Sequence, residues 1–157
     1  MRLDRAWIAS HVPHHGSMCL LDEVLEWDAH HIRCRSGTHR DSGNPLRAHG
    51  RLGAACGIEY AAQAMAVHGA LVDATPAASE PTAPRRPKSG YLASLRGVSL
   101  LVSRLDDLPT DLVATASLVH SDATSALYDF SLFSTERVLL KGRATIVFIS
   151  NPGAATA

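Results

Sequence analysis

The sequence predicts an α+β domain in which a curved antiparallel sheet wraps around a long central α-helix. Three observations predict it. Residues 52–73 form a proline-free stretch dominated by Ala, Leu, Met and Val, where helix propensity is high. After Gly90 apolar and polar residues alternate at period two, the pattern of antiparallel strands covered on one face. The order of elements, two strands, one helix and then a run of strands, cannot build repeated βαβ units.

Each element has its own local reason. Asp4 is placed to cap a short helix that ends before Val12-Pro13, since a residue before proline leaves helical space. Met18–Trp27 and His31–Thr38 are apolar, strand-forming runs, and Asp28-Ala29-His30 reads as the hairpin connection between them. Residues 38–51 hold Gly43, Pro45 and Gly50 among Asp, Ser and Asn, which suits an irregular loop. The helix over 52–73 carries apolar residues all round, which predicts burial on most sides. Seven alanines between positions 54 and 70 keep it thin enough for another layer to approach closely. Thr75 to Lys88 contains four prolines and reads as a loop. Leu112, Ala114, Ala116 and Leu118, then Ala126, Tyr128, Phe130 and Leu132, then Val138, Leu140, Ala144, Ile146 and Phe148 mark the inward faces of later strands. One domain is expected over residues 1–150, with a Pro-rich loop at 75–89 and a disordered tail at 151–157.

Composition narrows the function. A chain of 157 residues with 46% hydrophobic residues is sized for one well-packed domain. Fifteen Lys and Arg balance fifteen Asp and Glu, which argues against nucleic acid, whose phosphates call for a clustered basic excess. Three cysteines without CxxC spacing fit reduced thiols in a cytoplasmic protein. The opening MRLDRAWIAS lacks the apolar run of an export signal. Leu52–Val72 carries Glu59, Gln63 and His68, so a buried helix is the better reading than a membrane span. Nine histidines include the doublets His14-His15 and His30-His31, but neighbours on a strand face opposite ways and no zinc spacing is present. No phosphate-cradling loop or GxSxG elbow occurs. Neither a metal nor a cofactor is expected.

Glu59 is the most informative residue. It lies inside the helix expected to be most buried, where an unpaired carboxylate is costly and is either hydrogen-bonded or functional. Gln63, four residues on, shares its face and can bond to it or to a ligand. His39 and His49 lie in the preceding loop, and a neutral imidazole is a natural general base. Gly50 to Gly53 approach the helix start, where N–H groups free of partners can polarise a carbonyl oxygen.

Three blocks together resemble the hotdog-fold β-hydroxyacyl-acyl carrier protein dehydratases. Val12 to Val24, with Pro13-His14 near its start, is similar to the family's opening Pro-His block. His39 followed by Gly43-Asn44-Pro45 is similar to its His-Phe-Pro-Gly-Asn-Pro loop, although Arg40-Asp41 replaces Phe-Pro and the path to the helix is longer. Ile58-Glu59-Tyr60-Ala61-Ala62-Gln63 resembles its helix motif. The lengthened loop and the continuation AAQAMAVHG look most like a branch associated with bacterial aryl-polyene pigment clusters.

The resemblance implies a hotdog fold and a reaction. A histidine, His39 with His49 as its rival, removes the α-proton of a 3-hydroxyacyl thioester. Glu59 protonates the departing 3-hydroxyl, and Gly50, Gly53 and Gln63 help bind substrate. It implies a dimer as well, because histidine and carboxylate of one site come from different subunits. The implied partner is an acidic acyl carrier protein, for which Arg85, Arg86 and Lys88, or Arg33 and Arg35, are docking charges. A hotdog thioesterase and a non-catalytic subunit of a hetero-oligomeric dehydratase are the alternatives.

Overall fold

A computed structural model describes residues 2–75 and 89–149. Helix α1 spans Arg5–His11, and strands β1 (Glu23–Trp27) and β2 (His31–Ser36) follow as a hairpin. The long helix α2 covers Gly57–Ala74, and β3 (Gly90–Leu100), β4 (Leu112–Ser121), β5 (Ser125–Ser134) and β6 (Arg137–Phe148) complete the chain. All six strands join one antiparallel sheet in the order β1-β2-β4-β5-β6-β3. Register shifts within the β1–β2, β3–β6, β4–β5 and β5–β6 pairs bend the strands as bulges do, and α2 packs against β2, β4 and β5. The expected Pro-rich loop falls almost wholly, and the 151–157 tail wholly, outside the described residues.

Local hydrogen bonds explain where the boundaries depart from the sequence pattern. Asp4 caps α1 as expected, accepting from the Trp7 N–H, and Asp28 accepts from the His30 N–H in the hairpin turn. The first strand begins at Glu23 instead of Met18, because the Met18 carbonyl and the Leu20 N–H bond to the Gln63 side chain. The helix begins at Gly57, after a 3-10 turn at Ala54–Cys56, instead of at Leu52. The Leu52 carbonyl accepts from Leu105 N–H and its own N–H donates to Asp106, which holds residues 52–53 extended. In β6 the bulge opposite Leu132 and Phe133 places Leu139 in the core beside Leu140 and leaves Val138 half-buried.

The core lies between α2 and the concave face of the sheet. Tyr60, Ala61, Ala64, Val67 and Leu71 of the helix pack with Ile32, Cys34, Leu112, Ala116, Leu132 and Leu140. Burial on most sides holds only in part, since Glu59, Ala62, Ala66, Gly69 and Ala70 stay half-buried along one face. Gly57 marks the closest approach of helix and sheet. A Cβ there would lie 2.4 Å from Leu140 Cδ2 and 2.7 Å from Leu132 Cδ2, and both leucines are fully buried.

His68, fully buried, ties the helix to the sheet. Its Nε2 lies 2.9 Å from the Asp28 carbonyl and its Nδ1 2.8 Å from the Tyr128 hydroxyl. A carbonyl only accepts, so Nε2 carries the hydrogen, and in the neutral ring Nδ1 accepts from the tyrosine. Burial holds His68 below the ordinary histidine value of 6.5, and burial does the same to His39.

Two outcomes follow for stability. Gly57→Ala is expected to cost about 1–3 kcal/mol by overpacking, read as a lower urea midpoint; an unchanged midpoint would show that the leucines yield freely. The second concerns acid. As pH falls, the unfolded chain protonates these histidines first, so their contribution is full above pH 6.5 and is lost as pH drops through the depressed folded values. Urea titrations from pH 7.5 downward are expected to show that decline, with a shallower slope in His68→Gln.

Candidate active site

The half-buried face of α2 borders a cavity of about 790 Å³. Small residues on the helix (Ala62, Ala66, Gly69 and Ala70) open the space, and the sheet closes it with Leu118, Tyr128, Ile146 and Phe148. Glu59 and His14 line the same cavity, at the end nearest the start of the helix, with the C-terminal end of α1 beside them. The slot is largely apolar, with the Glu59 carboxyl at one end and Asp73 and Asp122 also on its lining, a shape suited to an extended acyl chain.

Gln63 builds that end. It is fully buried, and its Oε1 accepts from the Leu20 N–H at 2.9 Å. Its Nε2 donates to the Met18 carbonyl at 2.8 Å and to Glu59 Oε1 at 3.2 Å. One amide therefore straps the segment after α1 across the helix and holds the carboxylate one turn earlier. The strapped segment brings His14 over the helix, with Nε2 3.0 Å from Glu59 Oε1. Both side chains remain about one-third exposed, so Glu59 is accessible and not sealed in.

The two histidines expected as bases stand elsewhere in the chain. His39 is fully buried in a short 3-10 turn, with Nε2 3.1 Å from the Leu108 carbonyl. Its Nδ1 has no hydrogen-bond partner among the described residues. The carbonyl fixes the hydrogen on Nε2, so Nδ1 is a bare lone pair on a neutral ring. His49 is exposed, and its φ of 53° beside Gly50 at 73° makes a tight turn between Ala48 and Arg51. Neither ring contacts Glu59 within one chain. Around the helix start, the Arg51 and Leu52 N–H groups are consumed by the Ala48 carbonyl and Asp106; those of Gly50 and Gly53 make no hydrogen bond among the described residues, and neither glycine lines the cavity.

Sequence reading missed two contributors. Tyr60 is a buried hub: its hydroxyl lies 2.9 Å from Thr38 Oγ1 and accepts from Asn44 Nδ2 at 3.0 Å. Asn44 also donates to the Thr38 carbonyl, so the Gly43-Asn44-Pro45 motif locks its loop to α2. His14 was visible only in the His14-His15 doublet and the opening Pro-His block, neither of which gave a hint that it meets the helix carboxylate.

Of the docking charges, Arg35 is engaged by Glu23 and Asp111, each at 2.7 Å, and Arg33 by Glu26 at 3.2 Å. Arg85, Arg86 and Lys88 lie outside the described residues. Among the described residues no three His, Cys, Asp or Glu side chains gather as metal ligands, and no helix is long and apolar enough to cross a membrane.

Comparison with known proteins agrees with the architecture. The model of the ApeP-like family, described as ApeP dehydratase, matches residues 6–156. No curated protein matches the chain. Among solved structures, the dehydratase heterocomplex ApeI:P from Xenorhabdus doucetiae aligns with TM-score 0.75 and 21% identity over 92% of this chain and 91% of that one. A hypothetical thioesterase with coenzyme A from Streptococcus pneumoniae aligns at TM-score 0.56 and 14% identity, covering 82% and 86%. A thioesterase from Haemophilus influenzae aligns at TM-score 0.56 and 12% identity, covering 82% and 78%. At these identities the structural likenesses show the fold alone. With the sheet around its helix and the family match over nearly its whole length, the chain belongs to the ApeP-like dehydratase family and has the hotdog fold.

Proposed function

We propose that this chain eliminates water from a 3-hydroxyacyl thioester carried on an acyl carrier protein, giving the trans-2-enoyl thioester, as one subunit of a hotdog pair in the cytoplasm. The observation that carries this reading is Glu59 at one end of the apolar cavity, held by Gln63 and still accessible. In the proposed reaction the base takes the α-proton and the C2–C3 double bond forms. The C3–O bond breaks, and the Glu59 proton leaves with the hydroxyl as water. The N–H groups of Gly50 and Gly53 are suited to the thioester oxygen as negative charge grows there.

His39 is the proposed base, contributed by the paired chain. Its burial keeps it neutral, as a base must be, and its orphaned Nδ1 is the kind of buried unpaired atom that calls for a ligand. The ring has no exposed surface in the single chain, so substrate reaches it only when the residues packed over it shift. Gln63, whose amide is fully spent within the chain, serves the substrate pocket by holding Glu59.

Pairing itself is supported by the sheet edge. β3 is the last strand of the sheet and exposes Tyr91, Leu92, Leu95, Val98 and Leu100 by 37–53%. An apolar edge strand invites pairing with another chain. The ApeI:P likeness, a heterocomplex, makes a second, different hotdog chain a partner to test beside a second copy.

Three results test the reading. The chain, alone and with a hotdog partner, is incubated with a 3-hydroxyacyl carrier protein and enoyl product is followed. Release of free carrier thiol without enoyl product would instead indicate a thioesterase, and no product in any pairing would leave a binding role. Glu59→Gln and His39→Ala are each expected to lower turnover by about 10²–10⁴-fold, with His49→Ala close to wild type; the reverse order for the histidines moves the base to His49. Leu95→Asp is expected to shift sedimentation from dimer to monomer, and a wild-type chain that already sediments as a monomer with every partner tried would defeat the pairing.

A further inference from the structure

We infer that His14 is a positioning residue for Glu59, fixing which carboxyl oxygen faces the substrate; this rests on the dehydratase reading above. Both neighbours of the carboxyl group converge on one oxygen. Gln63 Nε2 donates to Oε1 at 3.2 Å, and His14 Nε2 lies 3.0 Å from the same atom. Oε2 has no partner among the described residues. An acid that must release a proton into the cavity gains from this asymmetry, because Oε1 is already occupied by donors and the proton is left to Oε2.

The state of His14 follows from its other nitrogen. Nδ1 is buried and has no hydrogen-bond partner among the described residues. A doubly protonated ring would bury an N–H without an acceptor, at a cost that a neutral ring avoids. The hydrogen of the neutral ring belongs on Nε2, the nitrogen facing the carboxyl group. His14 thus acts as a fixed N–H dipole beside Glu59 and not as a second base. The chain carries it there through a rigid path: Val12, buried, closes α1, and the Gln63 amide pins residues 18 and 20 on the far side.

The test compares His14→Ala with His14→Gln in the assembled dehydratase. Glutamine keeps an N–H donor of similar reach but cannot act as a base. His14→Ala is expected to lower kcat by roughly 10²-fold, the scale of a misplaced catalytic group, with KM little changed, and His14→Gln to restore most of it. Equal loss in both variants overturns positioning and makes His14 a proton-transferring group; no loss in either overturns any role. A readout independent of turnover uses the Glu59 side-chain carboxyl ¹³C resonance. It is expected to move in His14→Ala and return toward wild type in His14→Gln, with the backbone spectrum of the fold preserved. If the wild-type assembly makes no enoyl product, the dehydratase reading falls, and the resonance alone decides: a shift with rescue upholds the positioning contact, and an unmoved resonance overturns it.

Discussion

Gln63 makes three hydrogen bonds with one fully buried amide, and the geometry of the site depends on all three. Two of them take backbone groups of Met18 and Leu20 that would otherwise join the sheet. The third reaches Glu59. Leaving the buried Gln63 amide or the buried Leu20 N–H unpaired costs about 1–3 kcal/mol, so the strap over the helix is tightly determined. The consequence is functional: the same amide delays the first strand, draws the post-α1 segment across α2 and sets His14 beside the carboxyl group.

A second lock lies one residue along the helix from Glu59. Tyr60 points to the opposite side, into the core, and its hydroxyl gathers Thr38 and Asn44. Burial raises the tyrosine's ionisation above its ordinary value, with the Thr38 and Asn44 bonds pulling the other way, so it stays a neutral hydrogen-bonding post. The long loop between β2 and α2 is therefore fastened near its middle while its tip, at His49 and Gly50, stays exposed. Fastening there holds the 3-10 turn that carries His39. The helix thus organises both halves of the proposed chemistry from adjacent positions on opposite faces.

One group of ion pairs clusters at the sheet's β1–β2 end, outside the cavity lining. Arg5 and the Gly37 N–H share Asp22, and Arg35 and Arg40 share Asp111. The Arg35 pairing holds the Asp111 carboxyl below the usual carboxylate range. These pairs are partly exposed and so contribute modestly to stability. One of them engages Arg35, an arginine that the sequence alone offers as a docking charge.

The fold was legible in the sequence because its signals are local. Period two in Ala126, Tyr128, Phe130 and Leu132 matches a strand with those four side chains buried, and the alanines of 54–70 allow the helix to lie close to its sheet. Glu59 stood out for the same reason, as a carboxylate in an apolar helix, and Gln63 lies one turn away on the same face. What tertiary structure alone decided are the contacts between segments far apart in the chain. His14 meets Glu59 across 45 positions, His39 is closed by Leu108, and Leu52 is held extended by Asp106 and Leu105. Such contacts leave no periodicity in the sequence, since they depend on how strap, loop and sheet pack over one helix.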